Sequence, residues 1–402
     1  MATTTPVAPV LHRARNGNLM AFAVNGFALA SWLARVPDVK EALDLTPGLL
    51  AILLLGISSG ALIGLPLAGR LTHRLGAART VRLGMMVEVP GLIVAAAAIQ
   101  LKAPLWMAAV PLVLVGLGSG VWDVAMNLEG TVIEQGLGRA IMPWFHAAFS
   151  GGTVLGALIG AVIVFLKVPL LLHLGVVAVL VAVAAWWGTS DFLPAFDEQS
   201  DDSSPAPVVN HRSAWTEPRT LLIGIMVLAA AFTEGTANDW MAVAFVDGHH
   251  LDPALGVVGL AVFLTFMTAG RILGTRLLDS FGRIPVLRAM FASAIVGCLL
   301  VVFGPPWLAF IGAAIWGVGA SLGFPVGMSA AADEPHRAHS RLSVVSTIGY
   351  LAFLAGPPLL GFLGDRVGVL RSLLVVAVIS AAALLVVPVT KPLPGAVGEG
   401  SR

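Results

Sequence analysis

Twelve stretches of about twenty mostly apolar residues follow one another along this chain, and that recurrence limits its fold more than any other feature. Twenty helical residues reach across the hydrocarbon core of a bilayer, and a helix satisfies its own backbone polar groups where water is absent. The runs fall near residues 19–36, 48–69, 81–101, 105–130, 140–166 and 169–190, then 219–246, 254–277, 285–304, 307–330, 342–363 and 371–390. This is the pattern of an all-α membrane protein of twelve transmembrane helices, six and six. The break between the sets, 191–218, is rich in Asp, Ser and Pro and reads as a flexible linker. The expected organisation is a bundle at 1–190, a cytoplasmic linker at 191–218, a bundle at 219–390 and a cytoplasmic tail at 391–402.

Composition agrees. Charged residues make up 11% of the 402 residues and hydrophobic ones 57%, against about 25% charged in a soluble domain. A net charge of +1 provides no field for nucleic acid. Cys298 is the one cysteine, so an internal disulfide and a cysteine-based metal site are both excluded. Neither a metal nor a cofactor is expected. The basic segment before residue 19 reads as a polar lead into the first span, since no signal-peptide cleavage site is evident.

Orientation follows from Lys and Arg, which concentrate on the cytoplasmic side. With the N-terminus inside, 16 of the 23 fall in inner segments and 5 in outer ones, while Arg35 and Arg271 lie within or at the edge of spans. Both termini are therefore expected in the cytoplasm, with the chain in the cytoplasmic (inner) membrane.

The two halves also repeat. Leu45-Thr46-Pro47-Gly48-Leu49 matches Leu251-Asp252-Pro253-Ala254-Leu255 at an offset of 206, which also sets His73 on Asp279 and Gly76 on Gly282. Parallel six-helix repeats point to a transporter whose halves rock about a midplane site.

The loops GRLTHRLGAART (Gly69, His73, Arg74, Gly76) and TRLLDSFGR (Asp279, Gly282, Arg283) resemble the cytoplasmic loop signature of the major facilitator superfamily. His73 stands where that signature has an acid, and Ser280 where it has a base. Over almost the whole chain the sequence resembles the YbjJ-type bacterial inner-membrane transporters, a branch related to fucose permease. The resemblance implies a twelve-helix fold in two pseudo-symmetric bundles. Gly120-Val121-Trp122-Asp123-Val124-Ala125-Met126-Asn127 is similar to fucose permease's G-F-L-E-T-A-A-N, which implies that Asp123 occupies the place of a proton-carrying glutamate. The first-helix position of that family's essential aspartate falls on Leu33, so the sugar site does not carry over intact.

Charge at the bilayer centre costs at least about 2.5–3.5 kcal/mol, so ionisable residues within spans are functional candidates. They are Arg35, Glu88, Asp123, Glu129, His146, Glu234, Asp239 and Arg271. Asp123 and Asn127 share a helix face, as do Glu234 and Asn238. Asp123, Glu234 and Asp239 are the candidates for proton coupling, because a carboxyl that alternates between wet and dry surroundings takes up and releases a proton. By the 206 offset, Asp239 is the counterpart of Leu33; the alternative for it is an Asp capping the helix end. Asn25, Trp122, Asn127, His146, Asn238, Trp240 and Phe324 are the expected cavity residues, with Tyr350 among further aromatics of the spans. Arg35 and Arg271 are expected to form ion pairs. Gly235 invites unwinding, while Gly323-Phe324-Pro325 and Gly356-Pro357-Pro358 should loosen their helices. Gly151, Gly152, Gly156 and Gly160 form a stripe suited to close helix packing.

The expected activity is proton-coupled secondary transport of a small organic solute by alternating access. The expected partners are that solute, protons and the lipid bilayer, with no nucleic acid, and the protein is expected as a monomer. Sugar uptake and efflux of drugs or toxic metabolites are the alternatives; few amides lie in the spans, which thins the sugar reading. An enzyme is not expected: HExxH and P-loop motifs do not occur.

Overall fold

A computed structural model describes residues 8–139, 141–194 and 213–392. Most of the 191–218 linker and all of the tail after residue 392 lie outside the described residues. The first half contains α1 (Ala8–Leu33), α2 (Val36–Ala42), α3 (Pro47–Leu75), α4 (Ala77–Gln100), α5 (Leu105–Leu137), α6 (Met142–Phe165) and α7 (Leu170–Ser190). The second contains α8 (Pro218–His249), α9 (Pro253–Phe281), α10 (Arg283–Phe303), α11 (Pro306–Ala320), α12 (Gly323–Ala331), α13 (Pro335–Val367), α14 (Val369–Ser372) and α15 (Leu374–Val386). Pairing α1 with α2, α11 with α12 and α14 with α15 gives twelve helical stretches long and apolar enough to span a membrane. Among the described residues there is no strand.

The repeat is visible in the backbone. Helices α3 and α9 each hold 29 residues, and their bounds differ by 206 at both ends. They stop at Gly76 (φ 80°, ψ 161°) and Gly282 (φ 76°, ψ 172°), conformations that strain any residue with a Cβ. Each glycine N–H still donates 2.9 Å back, to the Thr72 and Leu278 carbonyls respectively, before the chain reverses.

Helix ends and breaks refine the sequence expectations. The lead before residue 19 is helical from Ala8, because Leu11 and Ala14 are buried and Asn18 Nδ2 donates to the Met126 carbonyl of α5 at 3.1 Å. The tenth span breaks between α11 and α12, just before Gly323-Phe324-Pro325, as expected. The other two weak points do not interrupt their helices. Helix α8 runs unbroken through Gly235, which lies against Phe353, and α13 contains Pro357 and Pro358 in its interior. Neighbouring helices can hold a span together across proline and glycine in this way.

Glycine sets how closely the helices approach. A methyl built on Gly60 of α3 would lie 2.0 Å from the Val113 carbonyl of α5. Gly152, Gly156 and Gly160 of α6 meet α1 similarly, whereas Gly151 faces open space and takes no part. Such small-residue contacts replace the hydrophobic drive that a bilayer cannot supply between helices.

Helices α1 to α7 pack mainly on one another, as do α8 to α15; the two groups touch through α2 with α8 and α9, α3 with α13, and α6 with α9. Those seams lie at the end opposite the arginine-rich loops. There Lys40 Nζ meets Asp247 at 3.0 Å and the Gly48 N–H donates to Asp365 at 3.0 Å. Ala34, Ala161, Val164 and Val257 form an apolar patch across the same end. At the basic end no hydrogen bond or ion pair among the described residues joins the groups. The groups are thus held closed at the end opposite the arginine-rich loops.

Candidate functional site

The site is built where the groups face each other below that closed end. From the first group, Asp123 and Asn127 of α5 are half-buried on one face, one helical turn apart. Asn127 Nδ2 donates to the Asp123 carbonyl at 2.8 Å and to its Oδ1 at 3.3 Å. His146, near the start of α6, is accessible and rests edge-on against Phe22, ring centres 5.4 Å apart. From the second group, Glu234 of α8 and Arg271 of α9 form a two-pronged ion pair, with Arg271 Nη2 2.9 and 2.8 Å from the carboxylate oxygens. Glu234 is 18% and Arg271 30% exposed, so the pair is neither dry nor free.

Two pairs face each other across the groups without a hydrogen bond between them. Asp123 is within electrostatic reach of the Tyr350 phenol on α13, and His146 of the Arg271 guanidinium. The arrangement therefore takes an acid, an amide and an imidazole from one half and a phenol and an ion pair from the other. Phe324, half-buried at the start of α12, packs against both cores of the second half. Such a set can hold a small polar solute through directional hydrogen bonds and can also hold a proton.

Several expected residues lie elsewhere. Trp122 and Trp240 are fully buried in the helix cores and do not line the cleft. Each sits next to an acid in sequence, and one residue turns a helix by about 100°, which points the ring away. Asn25 is buried with its Nδ2 unpartnered; Asn238 is half-buried, with its Oδ1 unpartnered. Asp239 is half-buried and lies ten residues before the end of α8, so it is no helix cap. Among the described residues it has no hydrogen bond or ion pair.

Arg35, only 3% exposed, pairs with Asp38 at 3.1 Å and donates to the Val168 carbonyl at 2.8 Å. It ties the α1–α2 junction to the turn after α6. Glu129 is likewise occupied, its Oε1 accepting from the Leu193 N–H at 2.7 Å. In the loop motif, Gly69, His73, Arg74 and Asp279 are exposed, and Arg283 donates to Asp333 at 2.7 Å.

Tyr350, the one tyrosine of the chain, stands among the span aromatics with nothing that singles it out as a neighbour of Asp123. Asp333, 3% exposed, holds both Arg219 and Arg283, and nothing local in sequence marks it as the hub of three distant segments.

A bundle of twelve spans, closed at one end around a polar site shared by its two halves, defines a multi-pass membrane transporter. The sequence profile of the Major Facilitator Superfamily matches residues 17–357, and the chain belongs to that family. It is 32% identical over 384 residues to an uncharacterized transporter, y4wD, of Sinorhizobium fredii, covering 93% of this chain and 97% of the relative. The structure resembles a mutant of the nucleoside transporter NupG (TM-score 0.76, 13% identity, 95% and 100% of the two chains). It also resembles the Escherichia coli fucose:proton symporter FucP (TM-score 0.63, 17% identity, 94% and 98%). The protein is a transporter and not an enzyme.

Proposed function

We propose that this transporter is proton-coupled, moves a small organic solute by alternating access as a monomer in the cytoplasmic membrane, and carries its proton on Asp123. The supporting observation is that Asp123, half-buried beside Asn127, has no cation partner among the described residues, in one of two helix groups whose hydrogen bond and ion pair to each other both lie at the opposite end from the arginine-rich loops. A carboxylate at that seam is hydrated when the cleft opens and dehydrated when it closes, which alternates its preference for the proton. Of the three acids expected to couple protons, Glu234 is held by Arg271, while Asp123 and Asp239 have no cation partner among the described residues. The units 1–190 and 219–390 rock about this site, with 191–218 as the tether. With the positively charged loops in the cytoplasm, the closed end faces outward and the cleft opens inward.

The test is a ligand-stabilisation screen on the purified protein, then uptake of the hits into proteoliposomes with and without a pH gradient. Accumulation that needs the gradient supports the reading. Equal accumulation in its absence rejects proton coupling.

A further inference from the structure

Outside the central cleft, the turn between α5 and α6 and the neighbouring start of α1 enclose a cavity of about 430 Å³. Its lining combines Arg15 and Arg139 with Leu19, Ile141, Trp144 and Phe145. We propose that this cavity binds the phosphate headgroup of an anionic phospholipid, with the first acyl carbons lying along Trp144.

The charge in the cavity is uncompensated. Arg15 donates through Nε and Nη2 to Asn16 Oδ1, at 3.2 and 2.9 Å, and that partner is neutral. Arg139 makes no hydrogen bond or ion pair among the described residues. The neighbouring acid, Glu134, turns its Oε2 to the Ile141 and Met142 N–H groups at 2.7 and 2.8 Å, and so is spent on the helix start. Two guanidinium groups beside a cavity, with the local carboxylate occupied elsewhere, fit one phosphate diester.

The cavity also faces lipid. Trp144 is 71% exposed and lies on the same side of α6 as Leu155, Leu158 and Val162, at helical spacing. Those aliphatic side chains are exposed too, which in a membrane helix marks the face turned to acyl chains. Trp144 sits in the first turn of that face, at the basic end of the bundle, where an indole ring belongs at headgroup level. A free anion would use the arginines and gain nothing from this apolar floor; a phospholipid uses both. Basic pockets between spans bind anionic headgroups in this way.

The test is native mass spectrometry of the full-length protein with phosphatidylglycerol, phosphatidylcholine or inorganic phosphate as probe. Phosphatidylglycerol should be retained in preference to phosphatidylcholine, and inorganic phosphate should not displace it at equal concentration. At roughly 1 kcal/mol per arginine, the double substitution Arg15→Gln with Arg139→Gln should lower that preference about 30-fold. Arg139→Gln alone, on an exposed turn, should lower it about 5-fold and keeps the test open if the double variant does not fold. Equal retention of both lipids, an unchanged preference in the variants, or displacement by phosphate would each overturn the proposal.

Discussion

The Asp365 carboxylate, near the end of α13, accepts a hydrogen bond from the Gly48 N–H at the start of α3, at 3.0 Å and across 317 residues of sequence. It places an anion on the positive end of a helix of the opposite half. Beside it, the Lys40–Asp247 pair is 21% and 32% exposed, so it contributes no more than about 1 kcal/mol. Weak ties suit a gate, because each must break once per cycle.

Removing these ties should open the closed end. Asp365→Ala combined with Lys40→Gln should raise the fraction of molecules with that end apart, read as a longer distance between spin labels near residues 47 and 366. Gly48→Ala should act the same way, since its methyl would lie 2.3 Å from Asp365 Oδ2 and displace the carboxylate. Unchanged distance distributions in both variants would mean that other contacts hold the gate.

The Glu234–Arg271 pair should matter for stability as well as for shape. Arg271→Gln leaves Glu234 without its cation in a partly dry site, at a cost of about 1–3 kcal/mol. A thermal melt in detergent should show the loss, and the double variant Glu234→Gln with Arg271→Gln should recover part of it. A double variant less stable than Arg271→Gln alone would argue against pairing.

Gly76→Ala and Gly282→Ala should each cost about 1–3 kcal/mol, because both glycines occupy backbone conformations that strain a Cβ. The sites lie in separate halves and share no partner, so the two losses should add. Chemical denaturation of the single and double variants checks this; a marked departure from additivity would show the turns to be coupled.

Sequence periodicity revealed the spans because each must be apolar for about twenty residues whatever it packs against. The offset of 206 likewise survived in α3 and α9 down to their last residue. The site was legible only in part. Asp123, Asn127, Glu234 and Arg271 stood out because charge and amides are costly inside a bilayer. Trp122 and Trp240 misled because adjacency in sequence is not adjacency on a helix face. Tyr350 and Asp333 owe their roles to partners fifty or more residues away, or across the seam between halves, which no local pattern encodes. Helix α8 stays continuous through Gly235 for a similar reason, since neighbouring helices decide whether a weak point yields.

Asp123 is the residue proposed to carry the proton. A proton moving down 100 mV supplies about 2.3 kcal/mol, enough for a roughly fifty-fold solute gradient. The decisive measurement is uptake of a stabilising solute into proteoliposomes by wild type and Asp123→Asn, under an imposed proton gradient and in counterflow without one. Asp123→Asn should lose gradient-driven accumulation while keeping counterflow exchange. Accumulation by Asp123→Asn to the wild-type level would contradict that role.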